Sequence, residues 1–284
     1  MAESKPRYGI VAILDALGVA VKTLAQSQAF FDNLGDILSA VNKANSIIID
    51  QGKSVIKDVY LDNSYDFASR TFGDTIIFTW SWDHKSGEDE KNQQLKVMQI
   101  THIVGQYLSK FFCVALTKQI LYRGSVSFGE FLISEDNNAL IGPAIADAAH
   151  WYEKADWAGI ITTPKMGFTL QSLQLYLTTE EGKKFNSGFK LEKYFIESDV
   201  PLKDKSGKTT IESKIWALAW FDEYHSNVKI HKKGQPQSDH KHHSKVWFTK
   251  DFGLCPITSG SESKYINTAK FFMENIDKIK EVEK

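Results

Sequence analysis

Two aspartates and an arginine are the residues whose types and places suit chemistry. Asp15 follows a short apolar run, Tyr8–Leu14 (YGIVAIL), and Asp74 opens another in FGDTIIF, residues 72–78. A carboxylate at the end of a buried strand is a hard oxygen ligand on a rigid mount. Two such strands side by side hold Mg2+ or Mn2+ with carboxylates from both. Each aspartate alone has a plainer reading: Asp15 as the cap of the helix that follows, Asp74 as a turn residue beside Gly73. Arg123 lies in YRGSVSFGEF, residues 122–131, where Gly124 and Gly129 permit close backbone approach. An arginine there either faces a phosphate or sits on the surface of a glycine-relieved strand. The SVSFG core misses the serine-hydrolase elbow, because Ser125 stands where that turn needs glycine.

The elements that must position these groups follow from periodicity. Tyr8–Leu14 reads as a buried central strand, and residues 21–50 as a helix, or two helices broken near Gly35. Strands are expected at 54–60 and 75–82, with turn material at 62–73 and an acidic loop at 83–91. A helix at 95–116, a strand at 120–133, a helix opened by Gly142-Pro143 and a strand at 159–163 follow. The order is β-α-β-β-α-β: an α+β, ferredoxin-like core with an antiparallel-rich sheet and helices on one face. That order places the strands bearing Asp15 and Asp74 next to each other. Ala144, Ala146, Ala148 and Ala149 suit close packing of their helix on a sheet or a partner subunit, and its start at Gly142 suits phosphate. A helix near 171–178, strands near 194–196 and 215–220, a polar loop at 229–245 and a helix at 264–283 complete the chain. No repeat or linker divides it, so one elaborated domain is expected over 1–284, with its core at about 8–163 and an elaboration at about 164–284.

The chain has 34 Lys+Arg against 35 Asp+Glu, a net charge of −1, which excludes a bulk basic footprint for nucleic acid. No stretch reaches the ~18 apolar residues of a membrane span, and the polar start, Met1–Arg7, does not read as a signal peptide. Cys113 and Cys255 lie far apart and form no metal spacing, so a reducing cytoplasm is the expected location.

Taken in order, ILDALG (13–18), FGDTIIF (72–78), YRGSVSFGEF (122–131) and GPAIADAAHWYE (142–153) resemble the class III nucleotidyl cyclase catalytic domain. VPLKDKSG (200–207) and IWALAWF (215–221) look most like the bacterial pyrimidine cyclases of the Pycsar anti-phage system. The resemblance implies a homodimer with interfacial sites that converts a nucleoside triphosphate to a 3′,5′-cyclic nucleotide and pyrophosphate. It implies two Mg2+ or Mn2+ ions on Asp15 and Asp74, with the Ala16 carbonyl as an added ligand. Ala16, Leu17, Gly18 and Gly73 would meet the substrate, and Arg123 or Arg70 would supply the transition-state cation. UTP is the favoured substrate over CTP, and a separately encoded effector would read the product in anti-phage defence.

The sequence also departs from the pattern. Ala146 and His150 stand where adenylate and guanylate cyclases carry Asn and Arg. Asp156-Trp157-Ala158-Gly159 stands where many pyrimidine cyclases carry Tyr-Pro-Arg. Two other readings therefore remain: a cyclase-fold module that binds a nucleotide or partner without turnover, and an atypical adenylate or guanylate cyclase. The run 229–245, with His231, His240, His242 and His243 among lysines, has the composition of a solvated loop; a metal site and a basic flap over the triphosphate are its alternatives.

Overall fold

A computed structural model describes residues 5–19, 23–55, 65–83, 90–134, 139–184, 189–204, 206–207, 209–231, 240–258 and 260–279. Strand β1 (Lys5–Leu17) pairs antiparallel with β3 (Thr75–Asp83) on one side and with β4 (Leu121–Ser134) on the other. Ile10, Val11, Ala12, Ile13 and Leu14 are all buried, so β1 is covered on both faces, as its continuous apolar run requires. With β2 (Asp66–Phe72), β6 (Ile160–Thr162), β7 (Phe195–Lys203) and β8 (Thr209–Leu218), the strand order is β2-β3-β1-β4-β6-β8-β7. A short β5 (Ala139–Ile141) pairs with the far end of β4. Among these pairings only β4–β6 is parallel. The fold is mixed α/β with a mostly antiparallel sheet.

Helices α1 (Leu24–Val55) and α2 (Glu90–Thr117) share the larger core with the even-numbered residues of β1. Helix α1 starts at a capping box: Gln26 N–H donates to Thr23 Oγ1 at 3.2 Å, and Thr23 N–H to Gln26 Oε1 at 3.1 Å. It does not break at Gly35. That glycine faces solvent, while Leu34, Ile37 and Val41 bury one stripe across it. A solvent-facing glycine weakens a helix by about 1 kcal/mol, too little to end one held by its packed face.

Helix α3 (Pro143–Trp151) opens at Gly142-Pro143 as expected, but it occupies the opposite face of the sheet. There Ala144 and Ala148 pack on Val11, Ile13 and Phe131. The one-face arrangement thus holds for α1 and α2, whereas α3 goes where the apolar second face of β1 and β4 has to be covered. The helix ends at Trp151 rather than near 155, because Ala155 bridges to Leu202 and Asp156 N–H donates to the Pro201 carbonyl at 2.9 Å.

Two further expectations are corrected. Residues 66–72, read as turn material, form the edge strand β2, whose mostly exposed pattern needs few apolar residues. Ser54 and Val55 belong to α1, and the rest of the strand expected at 54–60 lies outside the described residues. The run 229–245 is not one loop: helix α5 (Trp220–His231) takes its start and α6 (His240–Gly253) its end, while 232–239 lie outside the described residues. His240, Ser244 and Phe248, spaced four apart, bury one stripe of α6. Ser244 Oγ lies 2.7 Å from His225 Nδ1 on α5. Helices α4 (Pro164–Thr178) and α7 (Glu262–Ile276) add Leu170, Leu173, Phe271 and Phe272 to the larger core. No helix among the described residues is long and apolar enough to cross a membrane.

One buried histidine makes this fold acid-sensitive. His102 on α2 meets Tyr194 edge-on, with centroids 5.0 Å apart, and burial, then Lys193, pull its pKa down to about 4. The unfolded chain binds this proton from about pH 6.5 downward and the folded chain only near pH 4. Stability contributed above pH 6.5 is therefore lost as pH falls to about 4, by about 2 to 3 kcal/mol after allowing for partial exposure. Urea titrations at pH 7 and pH 4.5 should show this loss, and His102→Gln should reduce it. An unchanged pH dependence in that variant would count against the assignment.

Candidate active site

At one end of the sheet Asp15 pairs in register with Thr75 of β3 and with Arg123 of β4. Strand alternation sends these three side chains to the face that carries α3. Strand β1 continues through Asp15 to Leu17, and α1 takes its cap from Thr23, so Asp15 does not cap that helix. Asp74 occupies the two-residue turn Gly73–Asp74 between β2 and β3. Gly73 has φ +63, the positive value a type II′ hairpin asks of its first central residue. The Asp74 carbonyl accepts the Ala16 N–H at 3.2 Å, which fastens the turn to β1. Both carboxylates thus reach the same sheet end by separate routes, one in a strand and one in a turn.

Asp15 is held on two sides. Arg123 Nε donates to its Oδ2 at 3.0 Å, with a second guanidinium nitrogen also at 3.0 Å, and Thr75 Oγ1 lies 3.4 Å from Oδ1. Burial raises the Asp15 carboxyl pKa, Arg123 opposes that, and the neighbouring negative charge of Asp74 raises it again. The Arg123 guanidinium carbon stands 5.5 Å from the centre of the Tyr152 ring, and the Tyr152 hydroxyl donates to Glu153 Oε1 at 3.0 Å. Burial, then Glu153, push that phenol up to about 12. The result is a half-buried stack of Asp15, Arg123 and Tyr152, with a second carboxylate close enough to repel the first.

The remaining sequence candidates separate cleanly. Ala16 and Leu17 are buried backbone neighbours of Asp15, and Gly18 follows with φ +76. Arg70 lies on β2 opposite Ile77, with β3 between it and β1. The arginine that contacts Asp15 is Arg123. Ala146 and His150 are exposed on the outer side of α3. Thr75 and Tyr152 were not singled out from sequence. Thr75 was within reach of pattern reasoning, since a residue following Asp74 in an antiparallel neighbour falls opposite Asp15. Tyr152 was not, because α3 was expected on the other face. Among the described residues no group of three or more His, Cys, Asp or Glu is placed to hold a metal ion.

No family model matches the chain, and no curated protein does. Among solved structures one similar chain is the catalytic core of a rhodopsin-guanylyl cyclase with converted specificity, in complex with ATPalphaS. The match has a TM-score of 0.38 and 10% identity, and covers 77% of this chain and 99% of that one.

The Asp15–Arg123 pair has a measurable cost when broken. Each side chain is 17% exposed, so removing the cation strands a largely desolvated carboxylate. Arg123→Met should lower stability by about 2 kcal/mol in urea denaturation at pH 7. A double variant with Asp15→Asn should recover part of that loss; full additivity of the two changes would show that the pair is not coupled.

Proposed function

We propose that this chain is a metal-dependent nucleotidyl cyclase that closes a nucleoside triphosphate to a 3′,5′-cyclic nucleotide and releases pyrophosphate. The observation that carries the reading is the meeting of Asp15, Asp74 and Arg123 at one end of the central strands. The donor set fits Mg2+ or Mn2+: two hard carboxylates that repel each other, with other positions left to substrate phosphates, is how such ions are commonly held. When bound, two such ions lower the pKa of the ribose 3′-hydroxyl and offset charge on the leaving pyrophosphate.

The chain's own residues supply position and charge. Asp15, fixed by its strand, and Asp74, fixed by its turn, would hold the ions, with the Ala16 carbonyl as an added oxygen. The backbone at Leu17, Gly18 and Gly73 lines the path of the triphosphate. Arg123 turns from Asp15 to phosphate oxygens, a move for which its forked donors are suited. The Tyr152 ring beneath the guanidinium limits how far it swings. No protein nucleophile is required, since the attacking oxygen belongs to the substrate ribose.

UTP, with CTP second, is the substrate we favour, and a homodimer with sites shared between subunits is the working assembly. Its product would act as a second messenger read by a separate effector in anti-phage defence. These finer points rest on the sequence segments named above. A second reading, a nucleotide-binding module without turnover, rests on Ala146 and His150 standing in place of the Asn and Arg of other cyclases. Purified protein incubated with each of the four NTPs and Mn2+ separates the two. Cyclic product and pyrophosphate, greatest with UTP, are expected; nucleotide binding without pyrophosphate release would favour the module, and a purine cyclic product the atypical cyclase.

A further inference from the structure

Helix α2, the start of α5 and the turn before β7 border a cavity of about 270 Å3 that the Asp15 sheet end does not use. That volume holds several waters and lies just under the ~300 Å3 at which ligand pockets commonly begin, so it suits a small molecule. From α2 come Gln106, Ser109 and Lys110, whose helical spacing puts them on one face. Helix α5 contributes Asp222 and Glu223 from its first turn, and Lys193 and Tyr194 form the third side. The lining therefore combines two ammoniums and two carboxylates with neutral hydrogen-bonding groups.

Packing, and not these charges, fixes the walls. Ala219 N–H donates to the Tyr194 carbonyl at 2.8 Å, and the Phe112 and Trp220 rings join α2 to α5 with centroids 4.6 Å apart. Tyr194 sits against the backbone of α2, since a Cβ placed on Gly105 would stand 2.4 Å from its own Cβ. Gln106 Nε2 donates to the Tyr194 hydroxyl at 3.2 Å, which leaves the phenol proton to donate in turn. Ser109 is 4% exposed, and among the described residues its Oγ has no hydrogen-bond partner. A serine inside a helix commonly bonds back to the carbonyl one turn earlier. One that does not is a desolvated hydroxyl whose unmet bond a ligand atom can make. Burial raises the Glu223 carboxyl pKa, Lys110 opposes this, a hydrogen bond from Asn227 lowers it further, and Asp222 raises it again. Lys110 acts on Glu223 through space, with no ion pair between the two among the described residues.

We propose that this cavity binds a free α-amino acid, its carboxylate taken by Lys110 and Lys193 and its ammonium by Glu223 and Asp222. The ground is charge complementarity. A simple anion that reaches the lysines also meets two carboxylates, and a simple cation that reaches the carboxylates also meets two lysines. A zwitterion satisfies both halves with charge-assisted hydrogen bonds and leaves no like charges facing each other. The Ser109 and Tyr194 hydroxyls then meet its remaining polar atoms, which favours a short polar side chain. The plainer reading is that Asp222 and Glu223 only complement the N-terminus of α5, with the lysines as solvated neighbours. That reading predicts no saturable ligand. The inference is independent of the cyclase reading, because it uses none of the residues of the Asp15 sheet end.

The test is calorimetric titration of the full chain with each of the common L-amino acids, with folding checked by circular dichroism. At least one should saturate the protein at low millimolar concentration or below. For the tightest binder, the amine without the carboxylate and the acid without the amine should each bind about tenfold or more weakly. For L-serine these half-ligands are ethanolamine and 3-hydroxypropionate. Lys110→Met and Glu223→Gln should each weaken the amino acid about tenfold, and Ser109→Ala about threefold. Lys245→Met, which removes the α6 partner of Asp277, serves as the control and should change nothing. No saturation by any amino acid up to about 10 mM overturns the proposal. So does a half-ligand that binds as tightly as the amino acid, and so do folded Lys110→Met and Glu223→Gln proteins that both bind within about twofold of wild type. If Glu223→Gln does not fold, Lys110→Met decides, and the half-ligand comparison needs no variant.

Discussion

Asp74→Asn should, on the proposed cyclase reading, remove cyclic nucleotide formation while leaving the chain folded. The substitution keeps the shape of the side chain in its turn and deletes the charge. The turn itself survives, because its contact with β1 runs through the Asp74 carbonyl and not through the carboxylate. Loss of a metal carboxylate forfeits several kcal/mol of charge stabilisation in the transition state, and each 1.36 kcal/mol is tenfold in rate, so a drop of about a thousandfold is expected. Pyrophosphate release with UTP and Mn2+ measures it. Thermal stability should not fall, and should rise slightly at neutral pH, since Asp74 repels the half-buried Asp15. Wild-type turnover in a folded Asp74→Asn protein would end the metal role.

The largest effect on stability is expected at the middle of the sheet. Gly9 of β1 pairs with Ser81 on one side and Gly129 on the other. A Cβ added there would lie 2.0 Å from the Trp80 carbonyl oxygen and 2.7 Å from the Ser81 Cα. Both are backbone atoms of the adjacent strand, so relief requires the β1–β3 ladder itself to move. Gly9→Ala should cost about 3 kcal/mol or more, the upper range for overpacking. For a chain of this size that lowers Tm by about 6 to 12 °C. A loss under about 1 kcal/mol in denaturant titration would show that the strands part readily here.

Why some of this was legible in the sequence and some was not has physical causes. The unbroken apolar run at 8–14 marked a strand buried on both faces, and the β-α-β-β order then placed Asp15 and Asp74 at one end. What covers the second face was hidden, because the same apolar residues serve a helix on either side; α3 settles it through Ala144 and Ala148. Strand β2 was missed because an edge strand hydrogen-bonds through its backbone and need bury little. The His- and Lys-rich run looked like solvated loop, yet His240 and Ser244 turn inward where α5 and α6 meet.

The central place of β1 also sets the order in which this chain can assemble. Its partners lie at residues 75–83 and 121–133, so this apolar strand is synthesised well before either edge can be paired. At about 5–20 residues per second the wait is on the order of ten seconds. During that interval β1 is an open template for unwanted pairing between nascent chains. Slower elongation lengthens the exposure, while a holdase bound to residues 5–17 would shorten it. Yield of folded protein should therefore be governed by events at β1, early in synthesis.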